Sequence, residues 1–332
     1  MKRDRIKPVR KGVVLGDFCP VTNAHVHMIE FARNYVDELI IVVDEHAADA
    51  IDAERRAAWL SGLFPGVTIR RMKSAEWHKS DANDYGNQLL AGLRRILPKA
   101  FAGEKFVFSL EARGKLLAEK LGAKYVPCDP SLVGHSVTEK EIRANPLQHW
   151  DSLPRIVRPH YVRRICVFGP ESTGKSTLAR KLAAHFGTVC VPEYAESYIK
   201  ANGKDIDEND MVAIAHGQCA LEDACALDAH RVLFCDSDMV TSSIWSGRLI
   251  GAIPEHLQRA ADKRHYDLYL LTHYDVPYVD DAHRYIPKES PAFFDRCVHE
   301  LDSRKRPFVQ IKGNWDERFQ LAVEAVERML KG

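Results

Sequence analysis

The chain has almost no charge imbalance, no paired cysteines and no long apolar run. Lys plus Arg total 47 against 46 Asp plus Glu, a formal net charge of +1. A near-neutral chain has no global field for holding a long nucleic acid or an anionic membrane surface, so neither partner is expected. Polyanionic small molecules stay open, because a local pocket of backbone N–H groups and a few cations suffices for them. The eight cysteines are scattered, with no C-x-x-C pair and no histidine at a finger spacing. Several lie in apolar runs, as in Ile165-Cys166-Val167-Phe168, and read as small buried hydrophobes of a reducing compartment. Met1 to Lys11 carries six basic residues and no apolar stretch follows of signal-peptide length. No run approaches the ~20 apolar residues of a membrane span, so the cytoplasm is the expected location. Solenoid repeats and low-complexity tracts are also missing.

What is present is a strand-turn-helix start, made twice. At about 150 residues per domain, the 332 residues suggest two domains. The first start is Gly12-Val13-Val14-Leu15, a turn with Gly16 and Pro20, then Val26, Ile29, Ala32 or Arg33, and Val36 at helical spacing. The apolar run Leu39 to Val43 reads as a strand covered on both faces. The second start is Ile165 to Phe168, a Gly-bearing loop, and a helix presenting Leu178, Leu182 and Phe186. Val232 to Cys235, Leu268 to Thr272 and Phe308 to Ile311 are further strand candidates between helical stretches. The expected class is α/β with two parallel-sheet domains, residues 1–160 and 161–332. Pro146, Pro154 and Pro159 mark residues 145–160 as the connector.

Gly169-Pro170-Glu171-Ser172-Thr173-Gly174-Lys175-Ser176-Thr177 fits the P-loop pattern G-x-x-x-x-G-K-[ST], between a strand and a helix. Such a loop wraps backbone N–H groups around a β-phosphate, with Lys175 reaching the β/γ oxygens and Ser176 ligating Mg²⁺. Glu193-Tyr194 falls at the C-terminal end of a second strand, where α/β sheets bind ligands. Its carboxylate suits a substrate hydroxyl or a ribose. Asp236-Ser237-Asp238 follows Val232-Leu233-Phe234 and puts acidic groups at a Mg²⁺-holding position. Capping of the next helix is the competing role, about even for Asp238. Tyr278-Val279-Asp280-Asp281-Ala282-His283-Arg284 is a candidate lid, Arg284 closing on a transferring phosphate and Tyr278 offering a ring for stacking. A solvated ion-paired loop fits it equally well.

In the first half, Gly16-Asp17-Phe18-Cys19-Pro20-Val21-Thr22-Asn23-Ala24-His25 is similar to the nucleotidylyltransferase signature G-x-F-x-P-x-[HT]-x-G-H. Attack of a phosphate on the α-phosphorus of ATP builds charge on phosphoryl oxygens. Imidazole and hydroxyl donors at a helix start, His25 and Thr22, suit that charge, with Gly16 giving backbone access.

Together the two halves resemble the bifunctional NadR-type family of nicotinamide mononucleotide adenylyltransferase/ribosylnicotinamide kinases, without its DNA-binding N-terminal domain. Gly169 to Ser176 matches that family's G-x-E-S-x-G-K-S, Glu193-Tyr194 its E-Y, Asp236-Ser237-Asp238 its D-[ST]-D, and Tyr278 to Arg284 its lid. In the first half, Arg56-x-x-Trp59, Ser109-Leu110-Glu111, Asp129-Pro130 and Thr138 to Arg143 fit in order. The resemblance implies a Rossmann-like nucleotidylyltransferase fold followed by a P-loop kinase fold. It implies phosphorylation of ribosylnicotinamide by Mg-ATP and adenylyl transfer from ATP to nicotinamide mononucleotide, giving NAD and pyrophosphate. Phe18, Thr138 and Arg143 become ATP-binding candidates, as do Gly16 and the loop residues 169 to 177. Tyr194, Asp238, Tyr278, Asp280 and Asp281 become substrate-binding candidates. The metal would rest on Ser176 and Asp236.

This chain has Asp17 where the family has Lys, Ala24 for Gly, Lys140 for a hydroxyl residue and Glu196 for Arg. The first three leave open a second reading, a nucleoside kinase with a nucleotide-binding N-terminal module. A nucleotide-sensing regulator is a third; the eleven residues before the first strand are too few for a helix-turn-helix. A homo-oligomer is compatible with any of these.

Overall fold

The structure, a computed structural model, describes residues 9–46, 49–73, 82–97, 103–110, 113–128, 137–277 and 290–331. The chain falls into two compact units, Met1–Val157 and Arg158–Gly332.

In the first unit, β1 (Arg10–Gly16), β2 (Glu38–Glu45), β3 (Thr68–Lys73), β4 (Glu104–Ser109) and β5 (Lys124–Pro127) form one parallel sheet in the order β3-β2-β1-β4-β5. Helices α1 (Asn23–Tyr35), α2 (Ala53–Leu63), α3 (Ala82–Ile96) and α4 (Arg113–Leu121) make the crossovers. In β2 the six residues from Leu39 to Asp44 are all buried, as a strand with helices on both faces requires. The buried face of α1 is His25, Met28, Ile29 and Ala32. Val26 sits only half-buried, so the helix is rotated slightly from the apolar spacing. Polar His25 takes a core-facing position because its ring is hydrogen-bonded there. Short helix α5 (Glu139–Ala144) follows, and then the proline-bearing segment. That segment is anchored rather than loose: Trp150, Leu153 and Val157 are buried, and Asn23 donates to the Asp151 carbonyl at 2.8 Å.

In the second unit, β6 (Arg163–Phe168), β7 (Cys190–Val191), β8 (Val232–Asp236), β9 (Leu268–Thr272) and β10 (Phe308–Ile311) form a parallel sheet in the order β10-β9-β6-β8-β7. Around it stand α6 (Lys175–His185), α7 (Tyr194–Asn202), α8 (Glu208–Ala226), α9 (Met239–Leu249), α10 (Glu255–Lys263), α11 (Ser290–Ser303) and α12 (Trp315–Lys331). The core joins Ile165 and Val167 to Leu178 and Leu182 of α6 and Ala322 and Val326 of α12. In each sheet the strand order reverses at the first strand of its unit, which opens a crevice at that strand's C-terminal end. Both motif loops begin there.

No helix among the described residues is long and apolar enough to cross a membrane. All eight cysteines are free, and each is buried or half-buried.

Candidate active sites

The loop between β6 and α6 has the backbone that a phosphate cradle needs. Gly169 has φ +138, and a Cβ there would lie 2.6 Å from Thr272 Oγ1 and 2.7 Å from its carbonyl oxygen. Only glycine fits. Thr173 Oγ1 donates to the Pro170 carbonyl at 2.7 Å and meets Thr272 Oγ1 at 2.7 Å, tying the loop to β9. Gly174, at φ +82, starts α6, and Lys175 Nζ donates to the Pro170 carbonyl at 2.8 Å. An ammonium and a helix start thus lie together at this loop.

A cavity of about 380 Å³ opens beside this loop. Its polar wall includes Glu171, Ser172, Lys175, Ser176, Arg180 and Glu193, and Ile199, Ile214 and Trp245 give it an apolar side. Burial pushes the Glu193 carboxyl up to about 7; Lys175 opposes that shift, while Asp236, Glu171 and Glu196 add to it. Asp236, at the end of β8, is buried, and burial raises its carboxyl too. Lys175, a hydrogen bond from Ser176 and Arg180 pull the other way. Among the described residues, Asp236 Oδ1 has no hydrogen-bond partner. A buried carboxylate oxygen left open next to a serine hydroxyl fits a hard cation.

Two assigned substrate residues do other work. Asp238 caps α9: its Oδ1 accepts from Thr241 N at 2.9 Å, and its Oδ2 accepts from Tyr269 at 2.8 Å. With both oxygens taken and 1% exposure, it serves as a structural cap. Tyr194 does not line the cavity; its ring lies against Gly217, where a Cβ would stand 2.0 Å away. Tyr278, Asp280, Asp281 and Arg284 lie outside the described residues.

Sequence reasoning missed Arg180, Trp245, Trp315 and Arg318. Arg180 is one turn beyond Thr177 on α6 and shares its side of the helix, a signal that was available. Trp315 and Arg318 begin α12, far along the chain. Buried Arg318 donates from Nη1 to the Thr173 carbonyl at 3.1 Å and from Nη2 to the His273 carbonyl at 2.7 Å, and pairs with Asp275. The Trp315 ring covers Gly174, where a Cβ would come within 2.5 Å of it, and walls a slot of about 270 Å³ with Thr173, Thr177, Lys181 and Phe319.

In the first unit, Thr22 caps α1 and its N–H donates to His25 Nδ1 at 3.1 Å. An accepting Nδ1 leaves the proton on Nε2, so the ring presents a donor away from the helix. Gly16 gives the space: a Cβ there would meet the Phe18 ring at 3.1 Å. Phe18 itself is fully buried and its ring packs edge-on against His25 at 5.0 Å, so the side chain supports that histidine. Thr138 is exposed, and its hydroxyl is held by Glu141 at 2.7 Å in a capping box. Arg143 reaches the His25 loop through the Cys19 carbonyl, 2.6 Å from Nε. Buried Arg56 gathers that loop to β2, donating to the Asp17 and Asp44 carbonyls and, at 2.6 Å, to Asp49. Glu111, Asp129 and Pro130 lie outside the described residues.

An AAA domain model matches residues 164–318, the span from β6 through the start of α12. Over 96% of its length the chain is 28% identical to the trifunctional NAD biosynthesis/regulator proteins NadR of Salmonella typhimurium and Escherichia coli, covering 83% of each. The chain is homologous to NadR. Two NadR crystal structures share its fold, each at 20% identity and over 98% of this chain and 97% of the other. The one in complex with NR has a TM-score of 0.79, and the one in complex with NAD and AMP-PNP 0.77. The likeness to NadR thus runs through both motif loops and the segment between them.

Proposed function

We propose that this protein is a bifunctional enzyme of NAD salvage. In the second unit it phosphorylates ribosylnicotinamide with Mg-ATP. In the first it joins nicotinamide mononucleotide to the AMP part of ATP and releases pyrophosphate. The observation that carries the kinase reading is the placement of Glu193 in a cavity walled by Lys175 and Ser176 of the phosphate loop, where burial pushes its carboxyl up to about 7. A base that titrates near neutral pH accepts a hydroxyl proton and releases it again within one turnover. Lys175 stabilises charge on the transferring phosphate. Ser176 and Asp236 would hold Mg²⁺, a sparse donor set suited to an ion that takes its other ligands from phosphates and water. When bound, the ion neutralises β- and γ-oxygen charge. The purine of ATP would lie in the slot walled by Trp315.

For adenylyl transfer, His25 Nε2–H is the donor aimed at the α-phosphate, and Thr22 sets its tautomer. Residues 278–284 would close the kinase site, as the family resemblance implies. Free buried thiols suit the reducing cytoplasm, where we place the protein. Pure protein given ATP and ribosylnicotinamide should form ADP and the mononucleotide, and Lys175→Ala should form neither. Protein given ATP and the mononucleotide should form pyrophosphate and dinucleotide, and His25→Ala should lose both. Failure of either wild-type reaction refutes the corresponding half.

A further inference from the structure

The donors assigned to phosphate in the first unit already have an anion among them. Glu139 Oε1 accepts from the Cys19 backbone N–H at 2.9 Å and from Arg143 Nη2 at 2.9 Å. Its other oxygen stands 3.6 Å from His25 Nε2. One carboxylate therefore bridges a loop N–H, the guanidinium and the imidazole that the adenylyl reading gives to ATP. Asp17 adds a second carboxylate, 3.7 Å from the same Arg143. The cluster spans α5, the β1–α1 loop and α1, contacts between residues 120 apart for Glu139 and Cys19.

We infer that Glu139 is an internal occupant of this anion site, and that a phosphate-bearing ligand enters by displacing its carboxylate from Cys19, Arg143 and His25. The inference rests on the adenylyltransferase reading only for the location of the phosphate site. A carboxylate and a phosphate want the same donors, so Glu139 and the ligand compete for Cys19 N–H, Arg143 Nη2 and His25 Nε2. Burial and Asp17 push the Glu139 carboxyl up to about 7, the mark of an anion held at a cost. Displacement is local, since Glu139 is the first residue of α5 and its side chain is partly exposed. Glu139 thus sets how tightly the first unit takes polyphosphate.

The test is binding of inorganic tripolyphosphate to the full chain by calorimetry, in a Lys175→Ala background that weakens the second unit's loop. Glu139→Gln keeps an acceptor for Cys19 and removes the charge. It should tighten binding by about tenfold or more, and Glu139→Ala should do the same. Adding Arg143→Ala should erase the gain. Unchanged or weaker binding in Glu139→Gln would overturn the inference, weaker binding marking Glu139 as a group that helps hold the ligand. Absence of tripolyphosphate binding at this site with and without Glu139 would also overturn it. Dinucleotide formation, assayed separately, scores the adenylyl reading: a tenfold gain in binding without dinucleotide would sink that reading and leave this one standing.

Discussion

Arg318 Nη1 stands 3.1 Å from the carbonyl oxygen of Thr173, so the first turn of α12 holds the phosphate loop from behind. The same guanidinium donates to the Gly313 and His273 carbonyls, satisfying three loops at once. Arg318→Met would strand those carbonyl acceptors and take the guanidinium from Asp275, at a cost of about 1–3 kcal/mol. Arg318→Lys keeps the charge without the fork and should fold, with ATP affinity at the kinase site down about tenfold. Chemical denaturation and steady-state ATP titration read the two effects apart.

Glu193 should impose an acid limb on kinase turnover. The base must be ionised to accept the hydroxyl proton, so kcat/KM falls as pH drops through about 7. Glu193→Gln should remove the limb along with most of the activity.

The same group carries a stability consequence of opposite sense. A carboxyl raised in the folded state binds its proton more tightly there than in the unfolded chain, so its ionisation destabilises the fold as pH rises from about 4.5 to about 7. Glu193→Gln should therefore raise the stability of the second unit by about 1–2 kcal/mol at pH 8 and by little at pH 4.5. A melting series across pH checks both the sign and the window.

Trp315 is half-exposed over Gly174 and forms one wall of the slot beside the loop. Trp315→Ala should raise the KM for ATP in the kinase reaction about tenfold and leave the KM for the riboside unchanged, and Trp315→Phe should restore most of the loss. A matching rise in both KM values would show that the slot does not serve the nucleotide.

Gly169→Ala should leave the sheet folded and abolish phosphoryl transfer, because a Cβ 2.6 Å from Thr272 Oγ1 cannot be placed without moving the loop. Circular dichroism and the ADP assay separate these outcomes.

Much of this is legible in the sequence. The Leu39 to Val43 run, the two loop motifs and the strands at 232, 268 and 308 each declare themselves within a few neighbouring residues. At Asp238 and Thr138 a local pattern carries two roles: an acid or hydroxyl three residues before a helical Thr or Glu is also a cap, and both capping bonds form here. Motif position marks Phe18 and Tyr194 as ligand candidates, and the structure packs the Phe18 ring on His25 and the Tyr194 ring on Gly217. Arg180 was readable from helical spacing alone. Trp315 and Arg318 were not, because nothing in their neighbourhood refers to a loop 145 residues earlier.

The sequence by itself determined the two strand-loop-helix starts and the glycines that only their backbone angles explain, and it marked Lys175, Ser176 and His25 as the candidates for facing phosphate. Those features depend on dihedral preferences and contacts within one turn of chain. Tertiary structure alone decided which carboxylates face a cavity and which are consumed as caps, that Arg56 and Arg318 brace the loops, and that Glu139 rests on Cys19, Arg143 and His25. Hydrogen bonds are short and directional, so whether a side chain serves a ligand or the fold depends on which distant donor or acceptor the folded chain brings within about 3 Å of it.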